Sequence, residues 1–140
     1  MNEAFLQFLW KNKLLLTEKD HSVLGDEIKV IEQGELNHNS GPDFFNARVE
    51  IDGILWVGNI ELHLKSSDWY RHKHNIDHAY DNVILHVSLD HDKDVLTSNG
   101  RLVPNLVVKV NENHLKKYSE LMEKRRWVAC EDDLFKVDPF

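Results

Sequence analysis

Asp52-Gly53 is the dipeptide that most constrains this chain. A pair of this kind takes positive φ at both positions at little cost, so it joins two antiparallel strands through a two-residue turn. The flanks agree with that geometry. Before it, Phe45, Ala47, Val49 and Ile51 alternate with Asn46, Arg48 and Glu50. After it, Ile54 to Lys65 alternates again. Ile60, Leu62 and Leu64 share one face, and Asn59, Glu61, His63 and Lys65 share the other. A hairpin of two half-buried strands is therefore expected, with an acid, an imidazole and an amine along one face.

The remaining elements follow from shorter signals. Asn2 is placed to cap a helix over about residues 3–12, whose apolar stripe is Phe5, Phe8 and Leu9, widened by Leu6 and Trp10. Thr17 to His21 reads as loop. Gly25-Asp26 is a turn, and Glu27 to Gln33 alternates as a first strand. Gly34 to Gly41, with Asn37, His38 and Asn39, reads as loop. Ser66-Ser67-Asp68 can cap a short helix through His72. Val83 to Leu89 is an apolar run interrupted by His86 and Ser88, as expected of a central strand. Asp90 to Gly100 reads as loop, and Leu102 to Val110 as a strand that Pro104 pushes to an edge or starts late. Asn111 or Asn113 caps a last helix carrying Leu115, Tyr118, Leu121 and Met122, with Lys124-Arg125-Arg126 suited to its C-terminal end. No period is visible from Cys130 to Phe140.

This order predicts an α/β (α+β) domain with a mixed sheet of about five strands flanked by helices. The 140 residues suit one domain, 1–140, with a real core. A net charge of −7 argues against a general nucleic-acid binder but leaves room for a carboxylate-rich metal site. The single Cys130 excludes an internal disulfide and fits a reducing cytoplasm. Phe5 to Trp10 follows Glu3 and has no small-residue cleavage site after it, so it is not read as a signal peptide. No apolar run approaches the roughly 20 residues that span a membrane.

Two groups of residues can carry chemistry. Asp43 at a strand start and Glu61 on the next antiparallel strand can converge on a hard divalent cation, Mg²⁺ or Mn²⁺. Lys65 or His63 would then orient the attacking water. The second group is histidine. Six of the nine histidines fall between residues 63 and 91, and imidazole suits Zn²⁺. His72 and His74 can share a ligand if the chain there is extended, since on a helix they would diverge by about 200°. Asp77 and Tyr80 lie beside them, Asn39 sits in the loop before Asp43, and His86 in its apolar strand must satisfy both ring nitrogens. Arg71 and Lys73 form a small basic patch, and Trp56, Trp69, Tyr70 and Tyr80 are either packing or stacking residues. The chain lacks HExxH, a Gly-x-Ser-x-Gly elbow, a phosphate-binding loop and a dinucleotide fingerprint.

The helix–three strands–helix–strand order, with Pro42-Asp43 and then Glu61-Leu62-His63, resembles the PD-(D/E)XK nuclease superfamily. That resemblance implies a restriction-endonuclease-like core and a metal-dependent phosphodiester hydrolase acting on nucleic acid. His63 stands where that superfamily has a lysine, and Lys65 follows on the same face. Glu3 falls where some members place a further acid.

Four blocks taken together are more specific. They are Gly41-Pro42-Asp43-Phe44, Gly58-Asn59-Ile60-Glu61-Leu62-His63, Ser67-Asp68-Trp69 with His72-Lys73-His74, and Tyr80-Asp81-Asn82-Val83-Ile84-Leu85-His86-Val87. They are similar to an uncharacterised bacterial family, domain of unknown function 2851. The likeness implies a longer protein, so a C-terminal partner domain or a homo-oligomer is expected. Three functions follow as expectations: a nuclease-like hydrolase with Asp43, Glu61, His63 and Lys65 catalytic and Asn39, His72, His74, Asp77, Tyr80 and His86 in support; a zinc hydrolase using His63, His72 and His74; and a non-catalytic domain that binds nucleic acid or protein.

Overall fold

The structure is a computed structural model that describes residues 2–131, with side chains to residue 125. The side chain of Cys130 and the unpatterned tail 132–140 lie outside the described residues. The chain divides into two compact units, 1–109 and 110–140.

The first unit opens with helix α1 (Glu3–Lys11), capped as expected by Asn2, whose side chain accepts from the Phe5 N–H at 2.9 Å. Its strands are β1 (Asp20–His21), β2 (Glu27–Glu32), β3 (Glu35–Leu36), β4 (Phe44–Ile51) and β5 (Ile54–Lys65). Helix α2 (Asp68–Arg71) and two 3₁₀ turns, His74–Ile76 and His78–Tyr80, follow. The unit closes with β6 (Val83–Asp90), β7 (Val95–Leu96), β8 (Leu102–Val103) and β9 (Asn105–Val107). The fold is mixed α+β, with a large mixed sheet ordered β1-β2-β4-β5-β6-β9 and β3 added beside β4. β2, β4 and β5 form an antiparallel meander, and β5, β6 and β9 run parallel.

The hairpin is the one expected. Asp52 and Gly53 take φ of 50° and 82°, and Ile51 faces Ile54. Three segments read as loop contain short strands instead. Asp20-His21 pairs with β2, Glu35-Leu36 with the start of β4, and Val95-Leu96 with β8. Two residues are too few to carry a period, so only the partner strand defines them. The sheet is accordingly larger than the five strands expected. The alternation in β4 is also broken. Asn46 takes φ 58° at a register shift between Phe44 and Ala47, so Phe44 enters the core while Phe45 stays half-buried. Pro104 divides its segment. Leu102-Val103 joins β7 in a two-stranded sheet, and Asn105–Val107 becomes the edge of the main sheet.

β6 is central, as its run suggests, and is buried from Val83 to Ser88. Where β5 lies against it, residues 60–63 are buried on both faces. Gly58 marks a close approach at the start of this pairing. A Cβ there would meet Ile84 Cγ2 at 2.5 Å and the Asn82 carbonyl at 2.6 Å. Gly58→Ala is therefore expected to cost about 1–3 kcal/mol, the usual range for an overpacked site. A urea midpoint equal to wild type would show that the strands can part there.

The second unit holds helix α3 (Glu112–Glu131). Asn111 caps it, its side chain accepting from the His114 N–H at 3.0 Å. The helix runs past Lys124-Arg125-Arg126, which do not form its last turn. Among the described residues no helix is long and apolar enough to cross a membrane.

Candidate metal centre

Glu61 and His63 alternate onto one face of β5, where the strand pairs with central β6 and the Asp43 carboxylate takes the Leu62 N–H on its other edge, just past the last β4 pair at Ile60. Both side chains are therefore buried, His63 completely. The loop from Gly41 delivers Asp43 to the same place. Its N–H donates to Glu61 Oε1 at 3.0 Å. Its own carboxylate accepts from the Leu62 N–H and from Gln7 Nε2 on α1, both at 2.8 Å. The two acids converge on one side of the sheet, as the sequence requires of any joint role.

His72 and His74 reach the same side by a route that neither helix nor extended chain provides. His72 ends α2, Lys73 turns left-handed at φ 61°, and His74 opens the first 3₁₀ turn. That single reversal brings the two rings to 5.5 Å, centre to centre. Each also lies beside His63, at 5.1 Å for His72 and 5.4 Å for His74. One donor atom from each of His63, His72 and His74 falls within 4.8 Å of the others. Glu61 Oε2 lies 2.8 Å from His74 Nε2 and 3.4 Å from His63 Nε2. Tyr80 stacks on the His74 ring at 3.7 Å and 15°, and Trp69 meets His74 edge-on at 5.3 Å.

Behind His63 the polar groups form a chain. His63 Nδ1 lies 2.7 Å from His86 Nε2, and His86 Nδ1 lies 2.6 Å from Asn105 Oδ1. Asn105 Nδ2 donates to Ser88 Oγ at 3.0 Å. His86 thus satisfies both nitrogens by joining the cluster to a buried amide. Asn105 carried no signal in the sequence. Only its position opposite His86 in the β6–β9 register brings it in. His63 Nε2 has no hydrogen-bond partner, a state it shares among the buried side-chain atoms of described residues with His91 Nδ1.

The electrostatics follow from burial. Desolvation, with the Asp43 charge beside it, raises the Glu61 carboxyl to about 10. Desolvation raises Asp43 as well. It lowers His74 and His86 to about 4, and together with the surrounding imidazoles it lowers His63 to about 2. At neutral pH the Glu61–His74 contact is thus between a protonated acid and a neutral ring, not an ion pair. Glu3, on α1, is raised by burial and then by Asp43, and it feels His72, so it belongs to the rim of the same site.

Three expected residues are used elsewhere. Lys65 is exposed at the end of β5, and its N–H donates to Asp68. Asn39 is exposed and donates its N–H to Asn37 Oδ1. Asp77 caps the second 3₁₀ turn through the Ala79 N–H and reaches His74 and Tyr80 as a charge. Ser67 occupies the N-cap position of α2 without capping it, because its hydroxyl donates to Asp92 instead. Arg71 pairs with Asp68 at 3.2 Å.

A family model described as "Protein of unknown function (DUF2851)" matches residues 3–140. No curated protein and no solved structure matches the chain.

Proposed function

The chain belongs to the DUF2851 family of proteins of unknown function, and from that premise we propose that it is a metal-dependent hydrolase centred on His63, His72 and His74. One observation carries this reading. His63 Nε2 is buried beside two further imidazoles and has no hydrogen-bond partner among the described residues, and a buried polar atom without a hydrogen bond costs stability unless a ligand uses it. Three imidazoles suit zinc or a similar borderline ion, with one coordination position left open for catalysis. Bound there, the ion would polarise a substrate oxygen and acidify a water.

The chain's own groups supply the rest. Glu61 Oε2, beside the His63 and His74 rings, is placed to accept the proton an attacking water loses and to return it to the leaving group. A cation beside it favours the ionised form that this role needs. Asp43 holds the other Glu61 oxygen through its N–H. Tyr80 keeps the His74 ring in plane by stacking on it.

A second reading rests on the acid pair. Asp43 just before β4 and Glu61 on the adjacent antiparallel β5, followed by parallel β6, suit a restriction-endonuclease-like core that holds Mg²⁺ or Mn²⁺ and cleaves nucleic acid. His63 would then take the position of the superfamily lysine, because Lys65 is exposed.

Calorimetric titration of the full chain with Zn²⁺, Mn²⁺ and Mg²⁺ separates these readings. Wild type should bind one Zn²⁺, and His72→Ala should weaken it by about 100-fold or more, since one of three ligands is lost. His72 is exposed, so this change leaves the core intact. Chromogenic phosphodiester, phosphomonoester and carboxylic ester substrates then report the bond cleaved. Absence of Zn²⁺ binding in wild type would overturn the zinc reading. Mn²⁺ binding lost in Asp43→Asn but kept in His72→Ala would favour the second.

A further inference from the structure

We infer that Asn105 is a positioning residue that sets the tautomer of His63 through His86, so that a lone pair and not a proton faces the centre. The inference rests on the metal-centre reading for its consequence and on hydrogen-bond logic for its content. Asn105 Nδ2 is engaged by Ser88 Oγ at 3.0 Å, which leaves Oδ1 toward His86. A carbonyl oxygen only accepts, so His86 Nδ1, 2.6 Å away, carries a proton. A neutral imidazole has one N–H, so His86 Nε2 is an acceptor. The contact at 2.7 Å then requires the proton on His63 Nδ1. His63 Nε2 is left as a lone pair, at the nitrogen that has no hydrogen-bond partner among the described residues. With the Asn105 amide oriented in this way and His86 neutral, each step follows from the one before it, and the origin is an amide two strands away from His63.

All four groups are buried, with Asn105 at 1% exposure and His63, His86 and Ser88 at zero. Water therefore has little access to reset the tautomers. The register holds the relay together. His86 lies opposite Asn105 on β9, and Glu61 lies opposite His86 on β5. A partner that fixes the far nitrogen of a metal-binding imidazole commonly contributes about 10–100-fold to metal affinity.

The experiment uses the full chain with ¹⁵N-labelled histidine. In the metal-free wild type, NMR should show His63 and His86 both protonated on Nδ1. Asn105→Leu keeps the volume and removes the acceptor. His86 is then free to turn its proton to Nε2, and His63 should switch to the Nε2–H form. Zn²⁺ affinity should fall by about 10–100-fold. Asn105→Asp restores an acceptor and should restore both the Nδ1–H tautomers and the affinity. It also keeps the test decisive if the leucine variant folds poorly. A wild-type His63 protonated on Nε2 would overturn the inference, as would Asn105→Asp that binds zinc as poorly as Asn105→Leu. If the tautomers are as stated and wild type binds no metal, the metal-centre reading fails while the relay stands.

Discussion

Trp69→Ala is expected to lower stability by about 3–5 kcal/mol, the range for removing a buried tryptophan. The indole has no exposed surface and packs with Tyr80, Val83, Val95 and Val103. Its Nε1–H donates to the Leu96 carbonyl at 2.9 Å, so truncation also leaves that acceptor without its partner. The same ring meets His74, Tyr80 and His86 edge-on, at 5.3, 5.8 and 5.6 Å. The loss should therefore reach the cluster, and zinc affinity should fall along with the urea midpoint. Trp69→Phe separates the two terms. It keeps most of the apolar burial and loses the hydrogen bond, so its cost should be nearer 1–2 kcal/mol. A midpoint in Trp69→Ala equivalent to less than 1 kcal/mol would mean that the cluster repacks around the gap.

The second large effect is a stability maximum near neutral pH in the metal-free chain. His63, His74 and His86 are held below their usual value, to about 2, 4 and 4. The unfolded chain therefore takes up three protons that the native chain refuses as pH falls below about 6.5. The stability that depends on their neutrality is complete above that value and is lost as pH drops toward 4. Glu61 acts with the opposite sign. Its carboxyl is raised to about 10, so its contribution is complete below about 4.5 and is lost as pH rises toward 10. On the acid side three protons taken up oppose one released, a net of two, at about 1.4 kcal/mol per pH unit for each. On the alkaline side one proton leaves, with half that slope. Denaturation midpoints from pH 4 to 9 check this, and a monotonic rise through pH 9 would show that Glu61 is ionised in the native chain. Zinc at about 100 times its Kd should add about 2.7 kcal/mol at pH 7. It should also flatten the alkaline limb by favouring the Glu61 carboxylate.

Some of this architecture was legible in local pattern. Asp52-Gly53 between two alternating runs specifies a hairpin, because only a few residue types take two successive positive φ values. The extent of β5, the central position of β6 and the Asn2 cap follow from period, apolar content and side-chain chemistry. The convergence of Asp43 and Glu61 follows from adjacent antiparallel strands. Asp20-His21, Glu35-Leu36 and Val95-Leu96 were not legible, because a two-residue strand has no period of its own. Lys65 shows the limit of alternation. It shares a face with Glu61 and His63, but the strand leaves the buried part of the sheet two residues earlier.

The sequence by itself determined the inventory: a β-rich domain with a hairpin, two acids and a run of histidines along a short stretch of chain. Tertiary structure alone decided which of them come together. A left-handed Lys73 turned His72 and His74 toward His63, and a parallel β9 placed Asn105 against His86. The physical reason is that these contacts depend on one backbone reversal and one strand register. Residue type and spacing along the chain encode neither of them.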